Sequence, residues 1–219
     1  MKAYPIDVLH VCYAYGDDFD MATIKYARKY EPELIIIHST VPVGVTQLIY
    51  DDVCGVSEVV HSPVMGKHPD LTESIRAFRK IIGPGSYEGG ILAAEHLTKL
   101  GIACELYDSA RESELAKLFS TTYFGWNLIY MKDVWKECKM LDVNFDQVYT
   151  QTNHIYNEGY TKLGDTQFVR PVLKYMGDGI GGHCVWENSL ILRQDDILPV
   201  EANAVFDEGK VKEDKKNAI

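Results

Sequence analysis

The opening strand–helix–strand pattern constrains this chain more than any other feature. Residues 6–15 form a mostly apolar run with β-branched and aromatic side chains, and residues 34–38 form a second, continuous one. Both read as buried strands. Between them Met21, Ile24 and Ala27 recur at helical spacing over residues 18–30. Pro32 then stops the helix, because proline cannot continue one. Apolar strands joined by a helix imply a parallel sheet covered on its faces. A weaker continuation predicts strands at 57–61, 78–82 and 102–107. It also predicts a helix over 87–100, with Gly101 placed for a left-handed cap.

The texture changes near residue 109. Ser109-Ala110-Arg111-Glu112 has the form of a capping box. Apolar residues then recur at Leu115, Leu118, Phe119, Thr122, Trp126, Ile129, Val134, Cys138 and Leu141. The stripe is about 30 residues long, about 45 Å as a helix. It reads as one long helix, or as two broken near Gly125. One small sheet cannot cover it, so it is expected to enter a helical second domain or line a dimer interface. A further helix is expected over 145–156, a glycine-rich segment follows at 176–184, and a short helix at 185–193. From residue 207 the chain is mixed in charge and nearly free of apolar residues, which predicts fraying.

The fold class expected is therefore α/β: a partial Rossmann-like parallel sheet followed by an all-α central domain with one long helix. The domains are expected at 1–108 and 109–200, with a flexible tail at 201–219.

Composition narrows the functions. The chain has 219 residues, with 22 Lys+Arg against 32 Asp+Glu and a net charge of −10. Such an acidic balance argues against a nucleic-acid partner, which demands a basic patch. The five cysteines, Cys12, Cys54, Cys104, Cys138 and Cys184, are scattered with no C-x-x-C pair. Neither a zinc site nor a disulfide framework is expected. No signal peptide or membrane-length apolar run is evident, so a cytoplasmic protein without a membrane partner is expected.

Four segments have chemical potential. Gly177, Gly179 and Gly182 satisfy G-x-G-x-x-G in letters, but they lie too near the end of the sequence to open a βαβ unit. The match is read as chance within a glycine-rich turn. Cys184 follows that turn and could act as a nucleophile at a helix start; the plainer reading is a small thiol. His183 adjoins it, but one His and one Cys do not make a metal site. Ser39-Thr40-Val41-Pro42-Val43-Gly44 follows a strand, where open α/β sheets bind ligands. The same residues would serve as an N-cap and a proline in a first helical turn. Lys117 near the start of the long helix is placed to pair with Glu114.

Taken in order, these segments resemble one family. The resemblance rests on an apolar strand running into Cys12, then Ser39-Thr40-Val41-Pro42-Val43-Gly44, Ser62-Pro63, Glu114-Leu115-Ala116-Lys117 and Gly179-Ile180-Gly181-Gly182-His183-Cys184. Over roughly residues 5–192 the chain resembles the UDP-glucose/GDP-mannose dehydrogenases, and most of all the members acting on N-acetylated nucleotide sugars. The resemblance implies an NAD-dependent oxidation of a sugar alcohol to a carboxylate through a cysteine thiohemiacetal and thioester. It implies Cys184 as nucleophile, Lys117 steadying the oxyanion, Thr40 holding the hydrolytic water, and Thr121 and Asn188 at the remaining catalytic positions. Tyr13, Ser39, Thr40 and Pro42 would face the NAD cofactor. Gly179, Gly181, Gly182 and His183 would face the nucleotide sugar. A dimer built on the long helix is implied as well.

The departures from the family pattern matter equally. Val64 stands where the family has Glu after Ser-Pro, Thr121 where it has Asn, and Glu187-Asn188 where it has a pair ending in Asp. Neither valine nor an amide can take a proton as a base. The family's opening G-x-G-x-x-G half and its C-terminal nucleotide-sugar domain are not in this sequence. A degenerate dehydrogenase, not active alone, is the expectation. The alternatives are a non-catalytic nucleotide-sugar-binding or oligomerisation protein, and one half of a split dehydrogenase.

Overall fold

The computed structural model describes residues 6–66, 70–177, 179–180 and 183–217. It divides into two compact units, Met1–Phe119 and Ser120–Ile219.

The first unit is built on five strands in the order β1 (Val8–Val11), β2 (Leu34–Ile37), β3 (Glu58–His61), β4 (Lys80–Pro84) and β5 (Cys104–Leu106). The first three are parallel and in register, with Val11 opposite Ile37 and Ile37 opposite His61. Their carboxyl ends therefore arrive together. The expected all-parallel sheet has one exception. β4 runs antiparallel to β3 through Val60–Pro84 and His61–Gly83, while β5 is again parallel to β4. Among the described residues, the connection between β3 and β4 holds one short helix, Leu71–Ala77, counted as α3.

Helices cover both faces, which explains the unbroken apolar run of β2. Side chains alternate across a strand. Ile35 and Ile37 pack with Val11, Phe19, Ala27, Ile49 and Val53, beneath α1 (Phe19–Tyr30) and α2 (Val45–Val53). Leu34 and Ile36 pack with Val60, Ile82, Ala93 and Leu97, beneath α4 (Tyr87–Lys99). Both sets are almost wholly removed from solvent. Helix α1 ends at Glu31, whose φ is 45°, just before Pro32. Ser86 caps α4 by accepting the Gly89 N–H at 3.0 Å.

Helix α5 runs unbroken from Ala110 to Met140 over 31 residues. It starts with Ser109, whose hydroxyl donates to the Glu112 carboxylate and accepts the Arg111 N–H at 3.3 Å. There is no break at Gly125. A Cβ there would lie 2.8 Å from Val185 and 2.9 Å from Val205, so the glycine serves close helix packing.

The second unit continues with a π-helical turn, Asp146–Gln151, leading into α6 (Thr152–Leu163), which Gly164 ends at φ 79°. Helices α7 (His183–Gln194) and α8 (Pro199–Asn217) follow. Residues 201–217, within the segment expected as a flexible tail, are helical. Ala202 and Val205 are fully buried, and Val205 packs with Ile180, Val185, Leu128 and Ile129. Few apolar residues hold α8, but a partly buried Lys132–Glu208 ion pair of 3.0 Å and the Trp186–Phe206 ring contact at 5.5 Å support them.

Candidate functional site

In the first unit the loops after β1, β2 and β3 meet because those strands are parallel. The Ser39 hydroxyl donates to the Tyr13 carbonyl, which ties the first two loops together. The Thr23 hydroxyl is spent on the Phe19 carbonyl at 2.8 Å, so the Tyr13 hydroxyl donates to Thr23 at 2.5 Å. Thr40 and Pro42 are half-buried in the same loop. The third loop is joined by His61, fully buried at the end of β3. Its Nε2 lies 3.1 Å from the Ser39 carbonyl and its Nδ1 lies 2.8 Å from the Ser113 hydroxyl. A carbonyl can only accept, so Nε2 carries the proton, and the single Ser113 proton is shared between Nδ1 and the Ala110 carbonyl, which lies 2.8 Å from the same hydroxyl. Burial holds His61 neutral, with its pKa lowered to about 3.

The Ser39–Gly44 segment does not cap its helix with its own hydroxyls. The N-cap of α2 is Gly44, at φ 101°. The cap is supplied from α5 by Glu114. Its Oε2 accepts the Gly44 N–H at 2.6 Å and its Oε1 accepts the Thr46 N–H at 2.9 Å. A helix N-terminus attracts an anion, and here that anion is the protein's own carboxylate. Burial raises the Glu114 pKa, and the backbone N–H groups oppose that rise.

Glu114 is thus committed to α2, and Lys117 has a different partner from the one its spacing suggests. The Lys117 ammonium donates to the Val64 carbonyl at 2.9 Å. A second lysine works beside it. Lys80, buried in β4, donates to the Ser62 carbonyl at 2.7 Å and to the Pro63 carbonyl at 3.0 Å. Three consecutive carbonyls after β3 are therefore held by two ammonium groups. Burial pushes the Lys80 pKa down to about 8. Neither Lys80 nor His61 was singled out from sequence. The available hint was a charged residue inside an otherwise apolar strand.

The second unit gathers another set. Cys184 lies in the first turn of α7 and is exposed. Asn188, one turn further on, is buried, and its amide donates to the Thr121 hydroxyl on α5 at 3.0 Å. The structure thus joins Thr121 to Asn188 and sets Cys184 on the same helix as Asn188. Gly179 is in the left-handed region at φ 74°. Gly181 and Gly182 lie outside the described residues, as does the side chain of His183.

The starts of α1 and α2 do not fit the pyrophosphate of a dinucleotide. At α1 the Phe19 N–H is taken by the Gly16 carbonyl at 2.9 Å and the Met21 N–H by Asp20 at 2.8 Å. Asp17, Asp18 and Asp20 surround that start with negative charge. At α2 the site is filled by Glu114. Among the described residues, no group of three or more His, Cys, Asp or Glu is placed to hold a metal ion. No described helix is long and apolar enough to cross a membrane.

Known proteins resemble this arrangement. No family model matches the sequence. A curated UDP-N-acetyl-D-mannosamine dehydrogenase of Methanococcus vannielii is 26% identical over 157 residues, covering 71% of this chain and 33% of that protein. A solved UDP-D-ManNAc dehydrogenase from Pyrococcus horikoshii superposes with a TM-score of 0.74 at 19% identity, covering 93% of this chain and 50% of that one. A UDP-glucose dehydrogenase from Pyrobaculum islandicum gives a TM-score of 0.71 at 18% identity, covering 94% and 50%. The structural matches establish a shared fold. The chain is similar to nucleotide-sugar dehydrogenases, and it spans about a third to a half of their length.

Proposed function

We propose that this relative of the nucleotide-sugar dehydrogenases is a degenerate form that retains a nucleophilic thiol and does not oxidise a nucleotide sugar on its own. The observation that carries the reading is the Asn188–Thr121 hydrogen bond one turn from Cys184. In the family pattern the position of Asn188 is a carboxylate. Here it is an amide, already paired with a hydroxyl, and it cannot accept a proton. Val64 likewise offers only its backbone carbonyl, and Lys117 is bound to it.

In this reading Cys184 can still capture a sugar aldehyde. Its sulfur bonds to the carbonyl carbon, and its proton ends on the former carbonyl oxygen. Lys117 supplies positive charge in the first unit. A dinucleotide would meet Tyr13, Ser39, Thr40 and Pro42 at the ends of β1 and β2. Its pyrophosphate would find the starts of α1 and α2 already taken, so no step through NAD is derived. The nucleotide sugar would meet Gly179, Gly181, Gly182 and His183.

We also propose that α5 pairs with a second copy of the chain. Tyr123, Trp126 and Tyr130 follow one another at helical spacing and are 63%, 39% and 62% exposed. An aromatic stripe of this kind suits a partner surface.

The binding test is calorimetry of the full chain with NAD and, separately, with UDP-N-acetylhexosamines. Millimolar NAD should give no saturable heat. Tight NAD binding by the chain alone would overturn the degenerate reading.

A further inference from the structure

Three histidines meet at the edge of the first unit: His10 on β1, His38 just after β2, and His96 on α4. His38 shares the Ser62 carbonyl with the Lys80 clamp, while His10 and His96 have no part in the site described above. His38 Nδ1 lies 2.9 Å from the Ser62 carbonyl, and His10 Nδ1 lies 2.9 Å from His38 Nε2. His10 Nε2 lies 3.3 Å from His96 Nε2.

The Ser62 carbonyl fixes the protons along this row. A carbonyl only accepts, so His38 carries its proton on Nδ1. Its Nε2 is then a bare lone pair and accepts from His10 Nδ1–H. That leaves His10 Nε2 without a proton, facing His96. Lys80 fills the other lone pair of the Ser62 carbonyl and holds the anchor in place.

The two contacts of His10 differ in shape. The His10 and His38 rings are 5° from coplanar with centroids 5.2 Å apart, which for a 2.9 Å N···N contact places them end to end. That is a straight N–H···N hydrogen bond. The His10 and His96 rings are tilted by 44°, again with centroids 5.2 Å apart, but across 3.3 Å between nitrogens. The longer contact at the same centroid spacing means these rings meet at an angle. An ion about 2.05 Å from both nitrogens would see them about 107° apart, close to tetrahedral, with ring centres about 5.1 Å apart.

We propose that His10 Nε2 and His96 Nε2 form a binding site for a divalent transition-metal ion of the zinc class. His38 does not ligate. It orients His10 and fixes its tautomer, as the partners of metal-bound imidazoles commonly do. Only two of the three rings converge, so the site has two protein ligands. His10 is exposed and His96 half-buried, so water can complete the coordination. The proposal does not depend on the dehydrogenase reading.

The test is calorimetric titration of the full chain with ZnCl2, for the wild type and for His10→Ala, His96→Ala and His38→Ala. Zinc taken by the exposed thiols is common to all four proteins. The expected result is one further ion per chain, lost in His10→Ala and His96→Ala and bound about tenfold more weakly in His38→Ala. His10→Gln and His96→Gln, checked for a native circular-dichroism spectrum, repeat the comparison if an alanine variant misfolds. Independently, ¹⁵N NMR of metal-free protein should show His10 protonated on Nδ1. Zinc binding unchanged by either ligand substitution, no binding beyond the thiols, or a His10 proton on Nε2 would each overturn the proposal.

Discussion

Asn188 donates from its buried amide to the hydroxyl of Thr121 across 3.0 Å, joining α7 to α5 within the second unit. Removing the hydroxyl leaves a buried donor without that acceptor, at a cost of about 1–3 kcal/mol. Thr121→Ala should therefore destabilise the chain by that amount in urea unfolding. Thr121→Ser, which keeps the acceptor, should cost clearly less. Equal losses would mean that the methyl group, not the hydrogen bond, matters there.

Glu114 closes α2 from a distant part of the sequence. Loss of a helix cap costs about 0.5–2 kcal/mol, and a charged hydrogen bond is worth about 1.5–3 kcal/mol. These are one and the same interaction, so Glu114→Ala is expected to cost about 1.5–3 kcal/mol. Glu114→Gln keeps one oxygen acceptor and should fall between that variant and the wild type. Hydrogen exchange should show the gain in exchange concentrated at Gly44 and Thr46. Uniform exchange across the unit would contradict the cap.

Gly125 sets two effects against each other. Alanine is favoured over glycine inside a helix by about 1 kcal/mol. A Cβ at this position, however, meets Val185 at 2.8 Å and both methyls of Val205 at 2.9 Å. Overpacking of this kind costs about 1–3 kcal/mol, so the net effect of Gly125→Ala should be destabilising. A higher melting temperature for that variant would show that α7 and α8 can move aside cheaply.

His61 ties stability to pH. Burial lowers its folded pKa to about 3, below the usual histidine value of 6.5. Between those values the unfolded chain binds a proton that the folded chain does not. Its contribution is therefore intact above pH 6.5 and is lost as the pH falls toward 3, with a slope approaching about 1.4 kcal/mol per pH unit. Urea titrations at several acidic pH values should show this slope reduced in His61→Gln. An unchanged slope would assign the acid sensitivity to other groups.

Periodicity made the scaffold legible and long-range contacts did not register in it. The run Leu34–Ile37 announced a strand buried on both faces, and the stripe from Leu115 onward announced α5. Helix α8 was hidden because its buried side is carried mainly by Ala202 and Val205, too sparse a pattern among so many charges. The Glu114 cap joins residues about 70 apart in sequence, and the Lys80 clamp crosses between strands. No local spacing encodes either. The local rule that pairs Lys117 with Glu114 failed because a helix N-terminus had already claimed the carboxylate.

Oxidative turnover by the chain alone is the most direct measurement. The 219-residue chain is incubated with NAD and a panel of UDP- and GDP-sugars, and NADH is followed by absorbance. The account predicts no NADH above the protein-free rate. Sustained NADH formation that Cys184→Ser abolishes would contradict it.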